Sequence, residues 1–93
     1  MATARFEWDP ENAERNFAKH GVSFDEATSA FGDPLSVTIF DPDHSDHEHR
    51  FILMGQTDAG RLLVVVHTDT DQTVRIISAR LATKRERSDY ELG

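Results

Sequence analysis

The stretch "RFILMGQTDAGRLLVVVHTDTDQTVRIISARL", residues Arg50–Leu81, decides the fold. Three apolar runs, 50–56, 61–68 and 73–81, are separated by the short polar segments "TDAG" (57–60) and "DTDQ" (69–72). Runs of this length with β-branched residues and tight polar connections read as strands joined by hairpins. Upstream, "LSVTIF" (35–40) alternates, with Leu35, Val37 and Ile39 expected inward and Ser36 and Thr38 outward. The polar run "DPDHSDHEH" (41–49) then reads as a loop. Four strands in succession with short connections predict an antiparallel meander.

Helices flank these strands. "FEWDPENAERNFAKHG" opens with a strand-like stub, Arg5 to Trp8. Asp9 is placed as an N-cap, Pro10 at the first helical position and Gly21 just past the end. Ala13, Phe17 and His20 share one face of that helix. Ser23 and Glu26 form a capping box for a second helix, with Val22 before it as a staple onto Ala27. "TKRE" (83–86) is another capping box and starts a C-terminal helix containing Tyr90. The expected fold is α+β: a compact four-stranded antiparallel sheet plus a short N-terminal strand, two N-terminal helices and one C-terminal helix. The whole chain, 1–93, reads as one domain. Helices are expected on one sheet face, leaving the other for function.

The net charge is −7 and there is no cysteine, so disulfides and thiolate metal sites are excluded. Such an acidic chain is a poor non-specific nucleic-acid binder. The charge is uneven, however. Residues 1–49 carry three basic side chains against eleven acidic; residues 50–93 carry seven against six. No run is apolar and long enough for a signal peptide or a membrane span, which makes the cytoplasm the expected compartment and a membrane an unexpected partner.

Two arginines, Arg75 and Arg80, interrupt the last strand. They are five residues apart, so a regular strand points them to opposite faces. Either a bulge re-aims one, or one reaches the open face while the other pairs with an acid beneath the helices. Arg80 shares its face with Ser78 and adjoins the basic run Lys84, Arg85 and Arg87, which reads as a solvated helix face or an RNA-backbone contact. His67 ends "LLVVV" and is expected near Arg75 or Ser78 as an acid–base group, or as a half-buried strand-end histidine. Glu48 and Arg50 lie two apart and face the same way if the strand has begun there. Lys19 and His20 close the first helix, where cations also complement its dipole. Tyr90 is placed to stack on a base or simply to pack. His44, His47 and His49, with Asp43 and Asp46, have no standard metal-ligand spacing.

"FEWDPENAERNFAKHGVSFDEA", then "DPDHS", "RFILMG", "LLVVVHT" and "RIISARLATKRERSDY", together resemble the BrnT toxins of bacterial type II toxin–antitoxin systems, from about Phe6 to Tyr90. The resemblance implies a RelE-like fold and a metal-independent endoribonuclease that arrests translation, with no cofactor. It implies neutralisation by a BrnA-like antitoxin whose DNA-binding part reaches operator DNA, so that the toxin meets DNA only indirectly. Glu48, Arg50, His67, Arg75 and Arg80 are then the catalytic candidates. Lys19, His20, Lys84, Arg85, Arg87 and Tyr90 are the RNA-binding candidates.

Metal-free RNA cleavage needs a base for the 2′-hydroxyl, cations around the phosphorane and an acid for the 5′-oxygen. Arginine suits the cationic role because its planar fork meets two phosphate oxygens and stays protonated. Two other readings remain open. One is an interaction module whose sheet docks a partner, because Asp69-Thr70 stands where family members often carry a Glu-Arg or similar pair. The other is a small metal-binding domain built on the histidine loop. A homodimer through a sheet edge is compatible with either.

Overall fold

A computed structural model describes residues 5–41, 49–70 and 72–92. The elements run β1 (Arg5–Glu7), α1 (Pro10–His20), α2 (Phe24–Ala30), β2 (Val37–Asp41), β3 (Arg50–Gln56), β4 (Leu62–Thr70), β5 (Thr73–Leu81) and α3 (Lys84–Leu92). The strands form one five-stranded sheet in the order β1-β5-β4-β3-β2. β2 to β5 make the expected antiparallel meander. The N-terminal stub differs from expectation: β1 joins the same sheet, parallel to β5, with Phe6 opposite Val74 and Glu7 opposite Arg75. The sheet is therefore mixed and five-stranded. A parallel neighbour needs a crossover, and the intervening chain of helices and strands supplies it.

Local chemistry sets the helix ends. The Asp9 carboxylate accepts the Glu11 N–H, Pro10 fits the first turn, and Gly21 closes α1 at φ 68°, a left-handed conformation that glycine adopts without strain. The Ser23 hydroxyl accepts the Glu26 N–H. That box is only half formed, because the Glu26 carboxylate turns instead to Arg61 and Thr57 on the β3–β4 hairpin. The Thr83–Glu86 box closes in both directions, at 3.1 and 2.8 Å.

The core lies between the sheet and α1–α2. Val22, Phe24 and Ala27 pack on Leu63, Val65, Ile76 and Ala79, with Phe6, Trp8, Ala13 and Phe31 around them. Gly55 sits where a Cβ would come 2.6 Å from the Ala30 carbonyl oxygen, so glycine lets α2 approach β3. α1 meets the sheet by an unexpected route. Phe17 is exposed, and the buried residue of this helix is Asn16. β1 ends at Glu7, so β5 has no strand neighbour beyond Arg75. Asn16 takes that role: its amide donates to the Ala79 carbonyl at 2.8 Å and its oxygen accepts the Ala79 N–H at 3.1 Å. It also donates to the Val22 carbonyl, and Asn12 donates to the Ile77 carbonyl at 2.7 Å. Two asparagines on one helical face thus stand in for a strand along the edge of β5.

The expectation for β2 is corrected. Leu35, Val37 and Ile39 are exposed rather than inward, because β2 is the outermost strand and nothing among the described residues covers it. Phe40, on the same strand, is exposed too. α3 lies on the sheet side away from α1 and α2, where its Glu86 holds Arg80 and its Tyr90 hydroxyl donates to Asp33. The expectation that all helices share one face therefore holds only for α1 and α2.

Asn16→Ala removes three hydrogen bonds and strands buried backbone groups of Ala79 and Val22. We expect it to lower unfolding free energy by about 2–4 kcal/mol in urea titration, whereas a loss within about 0.5 kcal/mol would mean that Asn16 does not tie α1 to β5.

Candidate functional site

Ile76 and Ala79 are both fully buried in the core although they are three residues apart. Regular alternation forbids this, and β5 solves it with a bulge. Val66 pairs with Ser78 while His67 pairs with Ile76, leaving Ile77 as the extra residue. The consequence reaches the arginines. With Ile76 and Ala79 both inward, Arg75 and Arg80 both point to the face opposite α1 and α2. Of the two arrangements open from sequence, the bulge is the one found, and neither arginine lies beneath those helices.

The strand register extends this face into a row. Asp41 lies opposite Arg50, Arg50 opposite Thr68, Thr68 opposite Arg75, and Arg75 opposite Glu7. One residue from each of the five strands stands in line. Arg50 and Arg75 are separated by the single strand β4, about 10 Å apart at the backbone, with the buried Thr68 between them. Two long side chains at that spacing can converge on one phosphate. Thr68 and Glu7 were not among the sequence candidates. The signal for Thr68 was its position after His67; the signal for Glu7 was absent, because parallel pairing of β1 leaves no local trace.

The two arginines of β5 are held differently. Arg80 makes a two-pronged contact with Glu86, at 2.8 and 2.9 Å, within the α3 capping box. Its bonds to Arg80, aided by the Thr83 N–H and opposed by burial, lower the Glu86 carboxyl to about 2. Among the described residues Arg75 has a single, looser contact, 3.6 Å to Glu7, with both side chains about half exposed. Exposed pairs of that kind contribute at most about 1 kcal/mol, so a polyanion can displace Glu7 far more readily than Glu86.

Other candidates fall elsewhere. His67 shares the face of Val65 and Leu63, on the α1–α2 side. It is buried, flanked by the Phe31 and Phe51 rings, with Nδ1 2.7 Å from Asp69 Oδ1. The structure does not bring it to the arginines, since its register partner is Ile76. Lys19 and His20 close α1, also on the far side. Lys84, Arg85 and Arg87 are exposed on α3, on the same side as Arg80. Tyr90 spends its hydroxyl on Asp33, which raises its pKa and lowers that of the aspartate. Glu48, His44 and His47, with Asp43 and Asp46, lie outside the described residues; His49 is exposed beside Phe40. Among the described residues no group of three or more metal-ligating side chains occurs. A groove of about 450 Å³ lies between α1 and the start of α2, lined by Trp8, Phe17 and Phe24 with Glu14 and Asp25, remote from the arginine row.

Taken together, fold and face define a small α+β protein that presents a row of arginine, threonine and carboxylate side chains on a sheet face left partly open. Residues 8–86 match the family described as "Ribonuclease toxin, BrnT, of type II toxin-antitoxin system", and the chain belongs to that family. Its fold is similar to the crystal structure of the Brucella abortus ribonuclease toxin BrnT, with a TM-score of 0.64 and 20% identity over 88% of this chain and 100% of that one. A search of curated proteins by sequence gave no match. Membership of a toxin–antitoxin family implies an antitoxin partner. Among the described residues, no helix is long and apolar enough to cross a membrane.

Because the Glu86 carboxyl titrates lower when folded than its ordinary value near 4.5, its contribution is fully present above about pH 4.5 and is lost as pH falls toward about 2. Solvent exposure of the pair limits it to about 1–2 kcal/mol. Thermal melts of Glu86→Gln should lose that difference at neutral pH and lie closer to wild type at pH 3. Equal destabilisation at both pH values would show that the ion pair is not its source.

Proposed function

We propose that this chain is a metal-independent endoribonuclease toxin in which Arg50 and Arg75, across Thr68, bind the scissile phosphate. The observation that carries this reading is the five-strand row with its two arginines on one face. Two guanidinium groups there can neutralise the charge that builds on the phosphorane, and a positioned cation of this kind contributes about 10²–10³-fold in rate. The Thr68 hydroxyl can donate to a phosphate oxygen between them. Glu48, two positions before Arg50 in the sequence, is assigned from sequence alone as the carboxylate that accepts the 2′-hydroxyl proton. Arg80 serves as an anchor for α3 and has a secondary role beside the exposed Lys84, Arg85 and Arg87, which supply RNA-backbone contacts. His67, Lys19 and His20 take no part, since they lie on the other side of the sheet. In the free toxin Glu7 occupies Arg75, and substrate phosphate takes its place.

In this reading the protein acts in the cytoplasm, cleaves RNA to arrest translation, and is held inactive by a BrnA-like antitoxin. Contact with operator DNA passes through that antitoxin.

Incubation of purified protein with single-stranded RNA in EDTA tests the reading. Cleavage is expected to survive EDTA, to fall by about 10²-fold or more in Arg75→Ala and in Arg50→Ala, and to fall much less in His67→Gln. Glu7→Gln should tighten RNA binding severalfold at low salt. Loss of cleavage in EDTA, or full activity in both arginine variants, would overturn the proposal.

A further inference from the structure

The two edges of the sheet are finished differently. On the β1 side the edge strand has three described residues, Arg5–Glu7, and Arg5 and Glu7 are exposed on it. Beyond Glu7, Asn12 and Asn16 satisfy the backbone of β5. That edge is short, charged and capped, the usual defences against pairing with another chain.

The β2 edge has none of these defences. Val37–Asp41 is a five-residue strand with no proline and no basic residue, and the only charge is at its end. Its register with β3 runs unbroken from Val37–Met54 to Asp41–Arg50, with no bulge to twist the edge away. Among the described residues nothing covers either face of the strand: Leu35 is 72% exposed, Val37 48%, Ile39 56% and Phe40 45%. Val37 and Ile39 lie on the arginine face, and Phe40 lies on the α1–α2 face. A helix laid on one face would leave Phe40 and the backbone edge uncovered. An added strand covers all three, because its alternate side chains fall beside Val37 and Ile39 on one face and beside Phe40 on the other.

Charge identifies the occupant. The sequence has no lysine or arginine between Lys19 and Arg50, and acidic Asp33 and Asp41 bound the described β2 segment. A second copy would bring the same acids and a net charge of −7 against this edge. A segment with cationic flanks meets them favourably.

We propose that the β2 edge is a docking site for an extended segment of a partner chain, with an alternating apolar centre and lysine or arginine flanks, which adds to the sheet as a sixth strand. The proposal stands apart from the ribonuclease reading; only the identification of this partner with the antitoxin rests on it.

The test uses the whole protein and two short synthetic peptides that share an alternating valine–threonine centre. One is flanked by lysines and the other by glutamates. Binding is followed by calorimetry and by amide hydrogen exchange. The lysine-flanked peptide should bind about tenfold tighter than the glutamate-flanked one at low salt, and it should slow exchange at amides of Val37–Asp41. Ile39→Lys and Val37→Lys, both at exposed positions and each checked for an unchanged melting temperature, should weaken it by a similar factor. Equal binding of the two peptides, or protection confined to the α1–α2 groove, would overturn the proposal. So would a homodimer of the free protein that already protects the β2 amides. None of these readouts depends on RNA cleavage, so failure of the nuclease assay and failure of this proposal remain separate results.

Discussion

The demand that Ile76 and Ala79 both enter the core governs the molecule. Three residues apart on a strand, they cannot share a face without an inserted residue, and Ile77 is that residue. Apolar burial is worth about 25 cal/mol per Å², so the core sets the bulge. The polar cost of the irregular backbone is met by Asn12, whose amide reaches the Ile77 carbonyl. Packing of the apolar side therefore dictates the chemistry of the other side. Arg75 and Arg80 face the same way because the residues between them do not alternate.

Electrostatics then separates arginines that look equivalent in sequence. Arg80 is held on two prongs by a carboxylate that also caps a helix, and releasing it would loosen α3. Arg75 has one loose contact with a half-exposed glutamate and stands in line with Thr68 and Arg50. A site that must exchange a resident carboxylate for an incoming phosphate needs the weaker of the two arrangements. The proposed function accordingly shifts the main cationic role from Arg80 to Arg75.

Much of the fold was legible because it depends on short-range signals. Asp9, Pro10, Gly21, Ser23 and Thr83 mark helix ends through local hydrogen bonds and backbone preferences, and the apolar runs of β3 to β5 are bounded by polar turns. What escaped depends on tertiary neighbours. Nothing in "RFE" announces a parallel partner 68 residues further along the chain. The alternation in "LSVTIF" was real, but periodicity cannot tell a covered strand from an edge strand, and β2 is an edge. Nothing in the sequence singles out Asn16, whose amide completes the sheet along β5. His67 followed an apolar run whose face could not be assigned before the bulge was located. The arginine row was half visible: Arg50 and Arg75 were named, but the register that aligns them with Thr68 and Glu7 belongs to the folded chain.

The central claim is that Arg50 and Arg75, rather than Arg80 or the cations of α1, receive RNA phosphate. Nitrogen-15 spectra of the arginine side chains, recorded while a 2′-O-methyl oligoribonucleotide that cannot be cleaved is added, address it directly. The account predicts that the Nε–H signals of Arg50 and Arg75 move together and saturate at one concentration while that of Arg80 stays with Glu86. Movement of Arg80 or of the Lys19–His20 region, with Arg75 unchanged, would contradict it.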